Sequence, residues 1–279
     1  PMRAQRKTGG HPAAAIGEEP GMLTLYHYPS SPCAAKVRAV LSEKRLDWDG
    51  IVVDIIEKEN LTPDYLKLNP KGVVPVLVDD GDAIAESSII MEYLDTAYDT
   101  DSLKPESALG RARMRKWLKW VDGTQHPNWP GLAWIIIIRP IWLAKSKAET
   151  DALLDPARRE RQVRLLKHGF DAPDFEAAMR VLDRTLGDME AALANRDWLV
   201  DDKPTLADLA VLPYVIGAEK FGLDIMLAGR PRVAAWLDRW RATPTWQATA
   251  PWDLDEATRT EVRERAAAPW QRIVEADAA

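Results

Sequence analysis

The feature that most constrains this chain is a change of pattern near residue 100. Before it, short β-like runs alternate with helix-like runs; after it, nearly every stretch has helical spacing. "MLTLYHY" (22–28) reads as a strand that Pro29 and Pro32 interrupt. Pro32 suits the first turn of a helix, where its missing N–H has no partner to lose. Val37, Val40, Leu41 and Lys44 follow at helical spacing. "DGIVVDII" reads as a second strand, and "TPDYLKLNP" as a short helical turn stopped by Asn69-Pro70. "VVPVLVDDGDAIAE" reads as two short strands joined at Asp80-Gly81, a hairpin signal. Ser87 opens an amphipathic helix with Ile89, Ile90, Tyr93, Leu94 and Ala97 on one face. The predicted order is β-α-β-α-β-β-α. An α/β layer followed by an all-helical region predicts two domains.

In the second region, Met114, Trp117, Leu118 and Val121 mark one helix. Met179, Leu182, Leu186, Met189 and Leu193 mark another. The run after Thr205, "LADLAVLPYVIGAEKFG", is apolar nearly all round, as a central buried helix is. Thr205 and Asp208 have capping-box spacing, with Asp in place of the usual Glu. Val233, Trp236, Leu237 and Trp240 mark a last packed helix. The expected division is an extension outside the core fold (1–21), an α/β domain (22–98), a linker (99–107), a helical domain (108–250) and a charged tail (251–279).

Charge and cysteine count narrow the function. The formal net charge is -6, so the basic face of a nucleic-acid binder is not expected. One cysteine excludes an internal disulfide, and the four histidines are scattered, so no metal site is expected. A reducing, cytoplasmic location fits this cysteine usage. The longest apolar run, "LAWIIIIRPIWLA", is broken by Arg139 and Pro140 and is too short to span a membrane.

Four separated stretches resemble the glutathione transferase superfamily, in the right order: "YHYPSSPCAAKVR", "NPKGVVPVLV", "AIAESSIIMEYLD" and "WLVDDKPTLADLAVLPYV". The resemblance implies a thioredoxin-like N-terminal domain, with a mixed four-stranded sheet and helices, and an all-helical C-terminal domain. It implies glutathione as cosubstrate, no metal, and a homodimer. It implies that Pro75 of the Val74-Pro75 pair is cis and that the Val74 backbone pairs with the cysteinyl part of glutathione. Ser87, at a helix N-terminus, would offer a hydroxyl and free N–H groups to the γ-glutamyl carboxylate. Glu86 would take the γ-glutamyl ammonium. Ser87 also suits an ordinary N-cap. Lys36 and Lys71 are the candidate cations for the glycyl carboxylate; a solvated surface charge is the plain reading of either.

Only a thiolate is a good nucleophile, and an ordinary cysteine thiol has a pKa near 8.5. Lowering a thiol pKa by about 2 takes about 2.7 kcal/mol of preference for the thiolate. A hydroxyl donor and a helix N-terminus together supply energies of that order. Ser31 falls where serine-type members of the superfamily keep their catalytic serine, and is the first candidate. Cys33 lines the site or simply packs as a small apolar residue. Ser30 is a third candidate, because a one-residue shift in this loop is easily missed.

The second substrate is expected between the domains. "VDGTQHPNWPGLAW" (121–134) reads as an irregular segment near that cleft. Trp117, Trp120, Trp129, Trp134 and Tyr214 are candidate liners of an aromatic pocket; core or interface packing is the plain reading of any one of them. The reading is a glutathione transferase acting on a hydrophobic, aromatic electrophile. "MRKWLKWVD" is similar to the bacterial β-aryl etherases of the superfamily, which implies aryl ether cleavage. The alternatives are a non-catalytic interaction module on the same fold, and a thiol-disulfide oxidoreductase using Cys33.

Overall fold

The computed structural model describes residues 23–98 and 100–277. The expected extension at 1–21 lies outside the described residues.

The first half runs β1 (Leu23–His27), α1 (Pro32–Glu43), β2 (Trp48–Val52), α2 (Pro63–Leu68), β3 (Val76–Asp79), β4 (Asp82–Ala85) and α3 (Ser87–Ala97). This is the predicted order. The sheet order is β2-β1-β3-β4. β1 and β2 are parallel, while β3 runs antiparallel to both β1 and β4. Alternation along the strands splits the side chains between two layers. Leu25 and Leu77 join the large core, whereas Val76 and Val78 pack with Tyr65 of α2.

Two local readings need correction. Ser87 is the first helical residue of α3, and Glu86 is its N-cap. The buried face of α3 holds Ile90, Met91, Leu94 and Asp95, while Ile89 is 59% exposed. The helix turns that way because Asp95 accepts from the Leu103 N–H at 2.6 Å and pairs with buried Lys44 at 3.4 Å.

The helical region opens with α4 (Ala108–Trp120), α5 (His126–Asn128), α6 (Pro130–Ala133) and α7 (Arg139–Leu143). π-helical turns at Val121–Gln125 and Trp134–Ile138 join these pieces. Residues 121–134 are therefore helical, not irregular. Pro127, Pro130 and Pro140 each stand in the first turn of a new piece. A missing N–H is tolerated there, and wide π turns absorb the change of register.

The remaining helices are α8 (Lys147–Leu153), α9 (Arg159–His168), α10 (Pro173–Ala192), α11 (Leu206–Lys220), α12 (Pro231–Arg241), α13 (Pro244–Thr249) and α14 (Glu256–Asp277). α11 is the expected central helix: every residue from Leu206 to Ala218 is buried. Its capping box forms as read, with Asp208 also accepting from the Leu199 N–H and Trp236 Nε1. Within the charged tail, Glu256–Asp277 form a packed helix. α14 buries Val262, Ala266 and Ile273. It also passes so close to Gly222 that a Cβ there would lie 2.6 Å from the Arg259 carbonyl oxygen. Among the described residues no helix is long and apolar enough to cross a membrane.

Candidate active site

The site is built around the start of α1. Ser31 is its N-cap and accepts from the Ala34 N–H at 3.3 Å. That bond uses a lone pair and leaves the hydroxyl proton free to be donated. Pro32 and Cys33 follow in the first helical turn. Cys33 is half-buried and unpaired. The loop before α1 is held by Arg38. Its guanidinium donates to the carbonyls of Tyr28 (3.3 Å), Pro29 (2.9 Å), Ala248 (2.8 Å) and Thr249 (2.9 Å). The serine loop is thereby fastened to α13. His27 is buried beside Arg38, with Nδ1 3.3 Å from the guanidinium. Burial and then the Arg38 charge lower its pKa to about 3. It is neutral at pH 7, so Nδ1 accepts from Arg38.

Lys36 lies one turn beyond Cys33. Its side chain is fully buried and donates to Asp122 Oδ1 at 2.7 Å and to Ser88 Oγ at 3.4 Å. It thus joins α1, the start of α3 and the first π turn. Lys71 is instead largely exposed and pairs with Glu86 at 2.6 Å.

His126 begins α5, directly after the π turn, and Tyr214 comes from α11. Their rings meet edge-on at 6.4 Å, and Trp129 meets Tyr214 edge-on at 5.1 Å. Cys33 faces this group. Burial raises its pKa, but the His126 and Lys36 charges and the close polar contacts of His126 and Ser87 outweigh that. The thiol falls to about 6. The Cys33 charge in turn raises the pKa of His126. Burial, then the Cys33 and Asp122 charges, push Tyr214 well above the ordinary phenol value. Tyr214 therefore keeps its proton. Its buried Oη has no partner of ordinary hydrogen-bond geometry, so its contact with Cys33 is a loose one.

A second helix start adjoins the first. Glu86 has φ +70 and turns the chain from β4 into α3, presenting the N–H groups at Ser87 and Ser88. The Val74–Pro75 peptide is cis. Ser87 is buried and reaches Cys33, so the N-termini of α1 and α3 approach one thiol. Partial positive charge gathers at such ends. The arrangement suits a thiolate and a carboxylate side by side.

The proposed pocket liners separate. Trp129 and Tyr214 stand at the site. Trp129 also lines a cleft of only about 10 Å³ with Ser30, Ser31, Pro32, Pro213 and Trp252. Trp252 is held there by Lys220, which donates to its carbonyl, and by Phe221, 5.5 Å away. Trp134 packs edge-on against Trp142 at 5.2 Å in the core. Trp117 and Trp120 line a different groove, between α4 and α10. His126 and Trp252 were not singled out from the sequence. "HP" directly after a Gly-containing turn was the available signal for the first; nothing local marks the second.

Comparison with known proteins fits this geometry. Residues 25–103 match the model of the glutathione S-transferase N-terminal domain, and 133–244 match that of the C-terminal domain. The chain belongs to the glutathione transferase family. It is 30% identical to Protein LigF of Sphingobium sp. over 234 residues, 80% of this chain and 90% of that one. It is 32% identical to Glutathione S-transferase 3 of Zea mays over 231 residues, 81% and 92% of the two chains. The crystal structure of the β-etherase LigF superposes with a TM-score of 0.72 at 29% identity, covering 82% of this glutathione transferase and 98% of LigF. The fold is thus a thioredoxin-like domain followed by a helical domain, as expected for the family.

Proposed function

We propose that this glutathione transferase attacks a hydrophobic, aromatic electrophile, with aryl ether cleavage as the reaction. In this reading Ser87 and the α3 N-terminus take the γ-glutamyl carboxylate, and Glu86 takes the ammonium. The Val74 backbone pairs with the cysteinyl part. Lys71 is the better placed of the two cations for the glycyl carboxylate, because Lys36 is buried against Asp122. The Lys71–Glu86 pair is largely exposed, and such pairs are weak enough to exchange. Ser31 donates a hydrogen bond from its hydroxyl to the glutathione thiolate, assisted by the α1 N-terminus, with Ser30 beside it.

The thiolate then forms a C–S bond at the electrophilic carbon, and the C–O bond breaks. The leaving phenolate needs a proton. His126, whose pKa its neighbour Cys33 raises, and the un-ionised Tyr214 hydroxyl are the donors on that side. The observation that carries this reading is the meeting of two helix N-termini with that donor pair. Likeness to the β-etherase LigF supports the ether as substrate. The reading includes a homodimer, a cytoplasmic location, and a division into residues 22–98, 99–107, 108–250 and 251–279.

One observation favours a second reading. A Cys33 thiol with a pKa of about 6 is itself a nucleophile at neutral pH, as a cysteine-type glutathionyl transfer requires. Incubation with glutathione and a panel of aryl ethers and aryl halides, read by mass spectrometry, tests the first reading. It expects a glutathionyl adduct together with an equal amount of phenol from an ether, or of halide ion from a halide. Glutathione binding without any adduct overturns the electrophile; failure to bind glutathione overturns the whole reading.

A further inference from the structure

The cleft beside Ser31 is closed. Its volume is about 10 Å³, room for about one water molecule. An aromatic substrate needs a pocket of roughly 300 Å³ or more. One wall must therefore move, and the walls differ in how firmly they are held. Ser31, Pro32 and Ala35 belong to the start of α1, where Arg38 fastens the preceding loop to α13. Pro213 lies in the fully buried part of α11. Trp129 is 4% exposed and stacks on Phe221 at 5.4 Å.

The remaining wall is Trp252. It sits on a strap outside any helix, between α13, which ends at Thr249, and α14, which begins at Glu256. Pro251 and Asp253 are exposed, and Trp252 and Leu254 are half-buried. Among the described residues, the N–H groups of Trp252, Asp253 and Leu254 have no hydrogen-bond partner. A segment with so few backbone bonds opens at low cost. Most of the holding falls to one side chain. Lys220, the last residue of α11, donates to the carbonyls of Ala250 (3.0 Å) and Trp252 and pairs with Asp253 at 3.7 Å. Its ammonium also lies 5.5 Å from the centre of the Trp252 ring. The Asp253 side chain is 74% exposed, so this ion pair is weak.

We propose, on the reading that the thiolate forms beside Ser31, that the strap at 251–254 swings away to admit the second substrate and that Trp252 recloses on its ring. Lys220 is the positioning residue that clasps the strap. Trp252 is the residue that sets specificity. Together with Trp129 it brackets the substrate ring, which favours a flat aromatic group over an alkyl chain.

The test uses the full chain labelled with 5-fluorotryptophan and followed by fluorine NMR, with the Trp252 signal assigned through Trp252→Phe. The ligands are glutathione, S-(2,4-dinitrophenyl)glutathione and S-hexylglutathione. The dinitrophenyl conjugate is expected to shift the Trp252 signal, and glutathione alone to leave it in place. Lys220→Met keeps the glutathione Kd and speeds association of the dinitrophenyl conjugate about fivefold in stopped flow. Trp252→Ala lowers the affinity ratio of the dinitrophenyl to the hexyl conjugate about tenfold. Suppose the ligands bind but the Trp252 signal stays fixed, or answers equally to glutathione. The strap is then no gate, and this proposal falls while the thiolate reading stands. A wild-type association rate in Lys220→Met, or a wild-type ratio in Trp252→Ala, would overturn it in the same way. If neither glutathione nor the conjugates bind, both fall.

Discussion

Lys36 of α1 donates to Asp122 of the first π turn at 2.7 Å, and so joins the thioredoxin-like layer to the helical domain beside the site. The lysine side chain is fully buried, whereas that of Asp122 is 45% exposed. Asp122→Ala leaves the ammonium with only Ser88 Oγ at 3.4 Å. A loss of about 1–3 kcal/mol is expected for a buried charge deprived of its partner. Thermal unfolding should show a midpoint several degrees lower. Asp122→Asn keeps an acceptor and should lose less. Equal midpoints for wild type and Asp122→Ala would mean that the bridge carries no stability.

Cys33 should behave as a thiolate at neutral pH. Its pKa of about 6 puts the rise of alkylation by iodoacetamide near that pH, well below the ordinary thiol range. His126→Asn removes both the charge and the polar contact that favour the thiolate, so the rise should move upward. The rate at pH 6.5 should fall about tenfold. The sign for stability follows. A thiol more acidic in the folded state stabilises the fold above its unfolded pKa, and this contribution fades as pH falls through about 6. An alkylation profile unchanged by His126→Asn would disprove the pairing.

Glu86 separates function from stability. Its φ of +70 is strained for a residue with a Cβ, by about 1–3 kcal/mol. Glu86→Gly relieves that strain and removes the carboxylate. The expected result is unchanged or higher stability together with a raised KM for glutathione. Glu86→Gln should raise the KM while leaving the unfolding midpoint in place. If both variants lose stability and keep their KM, Glu86 is only a turn residue.

Asp208 is the opposite case. It accepts from the N–H groups of Leu199 and Thr205, from the Thr205 hydroxyl and from Trp236 Nε1, all within the core. Asp208→Ala strands several buried donors at once. The expected loss is about 3–5 kcal/mol, measured by chemical denaturation. A loss under about 1 kcal/mol would show that water replaces the carboxylate.

The contrast between these residues explains what the sequence made legible. The hairpin at Asp80-Gly81, Pro32 in the first turn of α1 and the Thr205–Asp208 capping box are local devices. Each is set by residues a few positions apart, and each formed as read. The meeting of Cys33 with His126 and Tyr214 depends on how three distant helices pack, which spacing does not encode. The proline-rich stretch at 121–134 misled because π turns let a helix carry prolines at short intervals. Ile89 misled because buried Asp95, paired with Lys44, rotates α3 away from its simple apolar face. Composition could propose four tryptophans and Tyr214 as liners, but only packing separates Trp129 at the site from Trp134 in the core.

The most direct test of the account is the pKa of bound glutathione, followed by thiolate ultraviolet absorbance. It is best measured in a Cys33→Ala background, where the protein's own thiolate does not contribute, with and without Ser31→Ala. The account predicts that Cys33→Ala retains glutathione binding and transfer. Adding Ser31→Ala should keep binding but return the thiol pKa toward the ordinary value near 8.5. A silent Ser31→Ala, together with loss of transfer in Cys33→Ala, would contradict it and make Cys33 the nucleophile.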